Sequence, residues 1–182
     1  DLADGQGRDP VDLVLDLALD ADLEMRITQD VINYDRDDIE VLLSDPTTVI
    51  GLSDAGAHAS QLCDAKYSTE FLSTFVRGRE AFTLEQGVHM LTQRPAEVFG
   101  ITDRGTLAEG KPADVVVFDA DEVGHLGKRR VNDLPAGADR IISDAVGIDA
   151  VVVNGTVIRQ NGVDQVEPGP GLPGSLLRNG SA

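Results

Sequence analysis

The stretch Ala150-Val151-Val152-Val153-Asn154-Gly155-Thr156-Val157-Ile158 constrains this chain more than any other. Two β-branched runs flank an Asn-Gly dipeptide, whose residues accept the positive φ angles of a two-residue type I′ turn, so the segment predicts a tight antiparallel hairpin. An earlier run, Ala113-Asp114-Val115-Val116-Val117-Phe118-Asp119, predicts a further strand. Gly105-Thr106-Leu107 and Gly110-Lys111-Pro112 before it predict short strands with tight turns. A small β unit therefore begins near residue 101. Residues 121–145 read as polar and irregular, wrapping a surface, and the Gly- and Pro-rich tail from Glu167 reads as extended.

Before residue 101 the signals are mostly helical. Asp9 and Pro10 open a helix as N-cap and first-turn proline. In that helix Asp12, Asp16 and Asp20 form a narrow acidic stripe on an otherwise buried cylinder, and a solvated stripe is preferred over a ladder of metal ligands. Residues 23–28 suggest a short strand. Residues 37–43 suggest a helix that stops before Asp45-Pro46, because the residue preceding a proline avoids the α region. Thr48-Val49-Ile50-Gly51-Leu52 reads as a buried strand feeding a loop. Helices follow over 69–76 and 84–93, the second with Thr83 and Gln86 in capping-box spacing, and Pro95 breaks or kinks the path. Helix–strand alternation followed by a β unit predicts an α/β chain that carries part of a layer or barrel.

Composition narrows the function classes. With 41% apolar residues the chain can build a core. Its 32 acidic against 15 basic residues leave a formal charge of −17, which opposes nucleic acid and anionic membranes as partners. No stretch approaches the roughly 20 apolar residues of a membrane helix. The single cysteine, Cys63, excludes an intrachain disulfide and fits a cytoplasmic setting. Asp1 opens the chain without an initiator Met or signal pattern, as expected of an internal cut in a longer protein.

Asp54 is the leading candidate for chemistry. It lies just past the apolar run, where α/β barrels place active-site groups, in the small-residue turn Ser53-Asp54-Ala55-Gly56-Ala57-His58. Ser53 is placed to orient it by a hydrogen bond. The alternative is an Asx-turn aspartate that bonds its own backbone. His58 divides between a substrate contact, a metal ligand and a structural loop residue. Cys63 reads as a small buried hydrophobe and His89 as a structural helix residue, while His125 has no evident partner. A calcium loop fails, since Arg130 stands where its closing Glu belongs. Gly169, Gly171 and Gly174 spell a dinucleotide fingerprint, but in a proline-interrupted tail with no following helix.

Four ordered segments then carry a resemblance. They are Val49-Ile50-Gly51-Leu52-Ser53-Asp54-Ala55-Gly56, Leu91-Thr92 with Pro95-Ala96-Glu97-Val98-Phe99-Gly100, Asp103-Arg104-Gly105-Thr106-Leu107, and Gly110 through Asp119. Together with the Val151–Gly155 hairpin they resemble the end of an amidohydrolase of the D-aminoacylase, or N-acyl-D-amino-acid deacylase, branch. The resemblance runs from about residue 36 to 160. It implies the C-terminal part of a TIM-like metal-dependent hydrolase barrel over residues 1–100, a composite β-sandwich portion over 101–160, and an extended tail over 161–182. It implies hydrolysis of a C–N amide-type bond at a centre holding zinc or a similar divalent metal. Asp54 is then a metal ligand and general base/acid, with His58 and Ser53 on the substrate side.

Two departures qualify what is carried over. The family's histidine ligands precede the region matched here, so the resemblance implies a metal not fully liganded by these residues. The expected partners are a small-molecule amide and either the remaining barrel or a second copy of the chain. The family's His-Pro-Arg-like stretch is replaced by Ala65-Lys66-Tyr67-Ser68-Thr69, with no arginine before Arg77. This leaves the substrate open among N-acyl-D-amino acids, other amides, cyclic imides and carbamoyl compounds. The competing expectations are a non-catalytic binding or assembly domain that kept the fold, and an inactive truncation.

Overall fold

The computed structural model describes residues 2–27, 32–51 and 53–181. They form mixed helix and sheet in two compact units, Asp1–Ile39 and Glu40–Ala182.

The first unit contains α1 (Leu2–Gln6) and α2 (Pro10–Asp20). Asp9 caps α2 as its sequence predicts, its carboxylate accepting from the backbone N–H groups of Val11 at 2.8 Å and Asp12 at 3.3 Å. The acidic stripe is exposed, and Asp16 receives Arg8. The rest of the cylinder departs from expectation. Only Leu13 of α2 is buried, while Val11, Leu15 and Leu19 are exposed. An apolar helix face is buried only by another apolar surface, and the described residues of this unit supply little beyond Ala3. Residues 23–27 are turn and irregular chain rather than a strand, and Thr28 lies outside the described residues.

The second unit begins within α3 (Arg36–Ser44), close to the predicted bounds. The expected strand after it is not formed: residues 48–51 are irregular, and Leu52 lies outside the described residues. A β-branched run becomes a strand by pairing, and no described segment pairs with this one.

The core sits on the next helix. α4 (Tyr67–Phe71) continues directly into a π-helical segment, Leu72–Gly78, which closes where the Arg79 N–H reaches the Thr74 carbonyl five residues back. Phe71, Leu72, Phe75 and Val76 recur on one face and are all buried. Phe71 stacks on Phe75 and meets Phe82, with centroids 6.2 and 5.8 Å apart. α5 (Leu84–Leu91) opens on the predicted capping box and packs on that face through Gly87. A side chain there would come within 2.5 Å of Val76. The path kinks at Thr92 (φ −127, ψ −83), so Pro95 falls in the first turn of α6 (Gln93–Val98), where its missing N–H is tolerated.

Residues 105–112 form bends and turns, not strands. A turn from Ala108 to Lys111 and the proline that follows it leave no run free to pair. The antiparallel sheet is instead ordered β1 (Val115–Phe118), β4 (Ile148–Val153), β5 (Thr156–Gln160) and β6 (Val163–Asp164). The predicted hairpin joins β4 to β5 with Val153 opposite Thr156, and Asn154 and Gly155 take φ values of 46 and 79. Asp114 secures this turn, accepting from Asn154 N–H at 2.7 Å while paired with Arg104 at 2.6 Å.

The largest correction falls on residues 121–145. They form an antiparallel hairpin of β2 (Gly124–Val131) and β3 (Arg140–Val146), joined through a tight turn at Pro135–Gly137. Their long cationic side chains mask the strand pattern, because charged heads stay in water while the stems pack. Val123, only 1% exposed, anchors the start of β2, and Gly147 turns the chain from β3 into β4 directly over it. In the tail, the Gly180 carbonyl accepts from Thr102 N–H at 2.7 Å.

Gly147 has φ +68, and a Cβ there would lie 2.5 Å from the Val123 nitrogen and 2.7 Å from the Glu122 carbonyl carbon. Gly147→Ala should therefore lower stability by about 3 kcal/mol or more, since both the backbone conformation and the space oppose it. Thr83→Ala, which removes only the cap, should lower it by about 1 kcal/mol. Denaturant midpoints check both, and a smaller loss for Gly147→Ala than for Thr83→Ala would contradict the packing described.

Candidate functional site

The turn predicted to carry chemistry is an exposed loop with an unusual backbone. Asp54, Gly56 and His58 have φ values of 55, 90 and 49, so alternate residues are left-handed. Small residues at 55, 56 and 57 permit this, and aspartate tolerates the left-handed region better than bulkier side chains do. Two turns result. Ala57 N–H donates to the Asp54 carbonyl at 3.3 Å, and the Gln61 and Leu62 N–H groups donate to the His58 carbonyl at 2.7 and 3.0 Å.

The Ser53 hydroxyl accepts from Ala55 N–H at 3.2 Å, a local turn bond, rather than orienting the Asp54 carboxylate. Asp54 is exposed, and among the described residues no hydrogen bond reaches its carboxylate. The Asx-turn alternative is thus absent among those residues. His58 is exposed four residues further on, its ring likewise without a hydrogen bond to a described residue. Among the described residues no group of three or more His, Cys, Asp or Glu side chains is placed to hold a metal.

The loop is fastened downstream. Ile141 N–H donates to the Ala59 carbonyl at 2.8 Å, Arg130 donates to the Ser60 carbonyl at 3.0 Å, and Lys128 approaches Asp64 at 3.4 Å. Cys63 is buried, as its reading as a small hydrophobe required. Sequence reasoning missed these anchors because residues 121–145 were read as irregular. The available signal was the basic run Lys128-Arg129-Arg130 in an otherwise acidic chain.

His125 does have partners. Its Nδ1 accepts from Gly127 N–H at 3.1 Å, and its Nε2 lies 3.3 Å from Lys66 Nζ and 4.0 Å from Glu70. Lys66 is itself paired with Glu70. At the far end of the hairpin, Arg140 grips Asp133 through two bonds of 2.7 Å. These bonds hold the Asp133 carboxyl below its ordinary range. Arg77, the first arginine after Asp54, donates to the carbonyls of Ala120 at 3.1 Å and Val123 at 2.8 Å. Both bonds use Nη1 of an exposed side chain, so this edge of the guanidinium serves the fold. His89 is exposed and lines a groove of about 390 Å³ between residues 43–50 and 82–94.

Similarity to known proteins bears on this loop. The N-acyl-D-glutamate deacylase of Alcaligenes xylosoxydans xylosoxydans is 43% identical over 110 residues, covering 60% of this chain and 20% of that protein. The N-acyl-D-aspartate deacylase of the same organism is 30% identical over 184 residues, covering 97% of this chain and 34% of that protein. A crystal structure described as D-aminoacylase, defining a novel subset of amidohydrolases, is 28% identical with a TM-score of 0.44. That match covers 55% of this chain and 19% of that one. The chain thus spans a fifth to a third of the length of the two deacylases. The family model described as "Amidohydrolase family" matches residues 1–159, which include Asp54 and the β2–β3 hairpin, and the chain belongs to that family.

Proposed function

We propose that this chain is the C-terminal portion of a metal-dependent amide hydrolase in which Asp54 is the general base and acid. The observation that carries the reading is the exposed Asp54 carboxylate, without a hydrogen bond to any described residue, in a left-handed turn within the family match. A carboxylate so placed takes the proton of an attacking water and returns it to the departing nitrogen, which must be protonated to leave.

The family's metal, zinc or a similar divalent ion, would supply Lewis-acid polarisation of the amide. Asp54 fits as one oxygen donor. The described residues do not form a ligand set by themselves, so the remaining ligands would come from further parts of the natural protein. In the same reading residues 1–100 belong to a TIM-like barrel and 101–160 to a composite sandwich. The exposed Val11, Leu15 and Leu19 of α2 are then faces completed by other barrel elements or by a second copy.

The substrate proposed first is an N-acyl-D-amino acid, on the strength of the two deacylases. No arginine lies between Asp54 and Arg77, so on this loop the exposed His58 is the candidate for contact with the substrate carboxylate.

In the full natural chain, Asp54→Asn should leave the melting temperature and circular dichroism unchanged and reduce kcat by about 10²–10⁴. Undiminished hydrolysis of N-acetyl-D-glutamate or N-acetyl-D-aspartate in that variant would overturn the assignment. His58→Ala should raise KM about tenfold with a smaller change in kcat, as for a lost hydrogen bond worth about 1.4 kcal/mol. Steady-state kinetics of the two variants separate the roles.

A further inference from the structure

The geometry points to Arg130 as a positioning residue for the Asp54–His58 loop, acting through a brace formed by the β2–β3 hairpin. The inference rests on the proposed hydrolase reading for its effect on turnover, but not for the contact itself.

Three basic side chains of β2 reach one segment of the loop in antiparallel order. His125 lies against Lys66, Lys128 against Asp64, and Arg130 donates to the Ser60 carbonyl. Lys128 and Arg130 are two apart and so project from the same face of the strand. The register shift between His125 and Lys128 allows His125 to reach that segment as well. At the pair Arg130–Ile141 the hairpin holds two successive carbonyls, Ala59 through the Ile141 N–H at 2.8 Å and Ser60 through the guanidinium at 3.0 Å. Asp139 also pairs with Arg130 and fixes the direction of the guanidinium.

These two carbonyls lie inside the turn closed on His58, whose own carbonyl accepts from Gln61 and Leu62. That turn abuts the one closed from Ala57 to Asp54. Displacement of Ser60 therefore has a path through His58 and Ala57 to the backbone of Asp54. Arg129, on the other face of β2, pairs across the hairpin with Asp144 at 2.8 Å and provides a control of like charge. A charge-assisted bond to a backbone carbonyl is stronger than a neutral one, and a misplacement near 1 Å at a reacting group lowers rates by about 10².

The test compares Arg130→Ala, Arg130→Lys and Arg129→Ala in the full natural chain by two measurements. Backbone hydrogen exchange over residues 53–64 should quicken in Arg130→Ala and stay near wild type in Arg129→Ala. Per folded chain, kcat/KM for N-acetyl-D-glutamate should fall at least tenfold in Arg130→Ala. Much of it should return in Arg130→Lys, which keeps a donor for Ser60. A purely structural role would lower the melting temperature and the folded fraction but leave kcat/KM per folded chain within twofold. That result, or unchanged exchange over 53–64, overturns the inference. If Arg130→Ala does not fold, Arg130→Gln is judged by the same measurements. Should Asp54→Asn prove fully active, the base assignment falls, while the exchange measurement still decides whether the brace exists.

Discussion

The hold of Arg77 on the turn before β2 is the contact on which the rest of the second unit depends. Its guanidinium projects from the π-helical segment and bonds the carbonyls of Ala120 and Val123, tying the buried helix to the β region. Val123 is pinned between that helix and Gly147, where no side chain could be added without meeting backbone. A hydrogen bond to a charged donor contributes roughly 1.5–3 kcal/mol, and the apolar burial beside it comparable amounts. The direction in which β2 leaves this point decides where the hairpin lies, and the hairpin in turn meets the loop after Asp54.

The charge distribution shows the same economy. Against an overall charge of −17, basic residues concentrate in the β2–β3 hairpin, and each has a named acidic neighbour: Lys128 with Asp64, Arg129 with Asp144, Arg130 with Asp139, Arg140 with Asp133. Exposed pairs of this kind contribute little to stability individually. Their value here is register, because a shift of one residue would turn Lys128 and Arg130 away from the loop and present Arg129 instead.

What could be read from sequence followed the range of the interactions. The Thr83–Gln86 capping box, the Asp9 cap and the Asn154-Gly155 turn are local, and each forms as predicted. The strand expected at residues 48–52 depended on neighbours that the described residues do not supply, so β propensity alone did not make residues 48–51 a strand. The hairpin at 124–146 failed in the opposite direction. Its strands carry charge where a half-buried strand usually carries apolar residues, and compensating contacts come from Asp64 and Ser60, 64 and 70 positions from their partners. Asp54 was legible as a turn residue from its small neighbours, but not the bond from Ala55 N–H to the Ser53 hydroxyl beside it.

That last detail bears on why an aspartate stands at this position. A left-handed backbone at a residue other than glycine is costly by about 1–2 kcal/mol, and aspartate usually offsets this by bonding its own backbone. Among the described residues that bond is absent, and the conformation is held by Ala57, by Gly56 at φ 90, and by the fastened turn beyond His58. Glycine would adopt the same backbone with less strain, so the turn itself gives no reason for a carboxylate. A strained residue whose side chain does nothing for its own loop is the pattern expected where that side chain serves something outside the loop. In the proposed hydrolase the outside group is the water and the leaving nitrogen, between which a proton must pass. The brace on Ala59 and Ser60 then has a physical rationale, because a carboxylate unsupported by its own turn must take its position from farther along the chain.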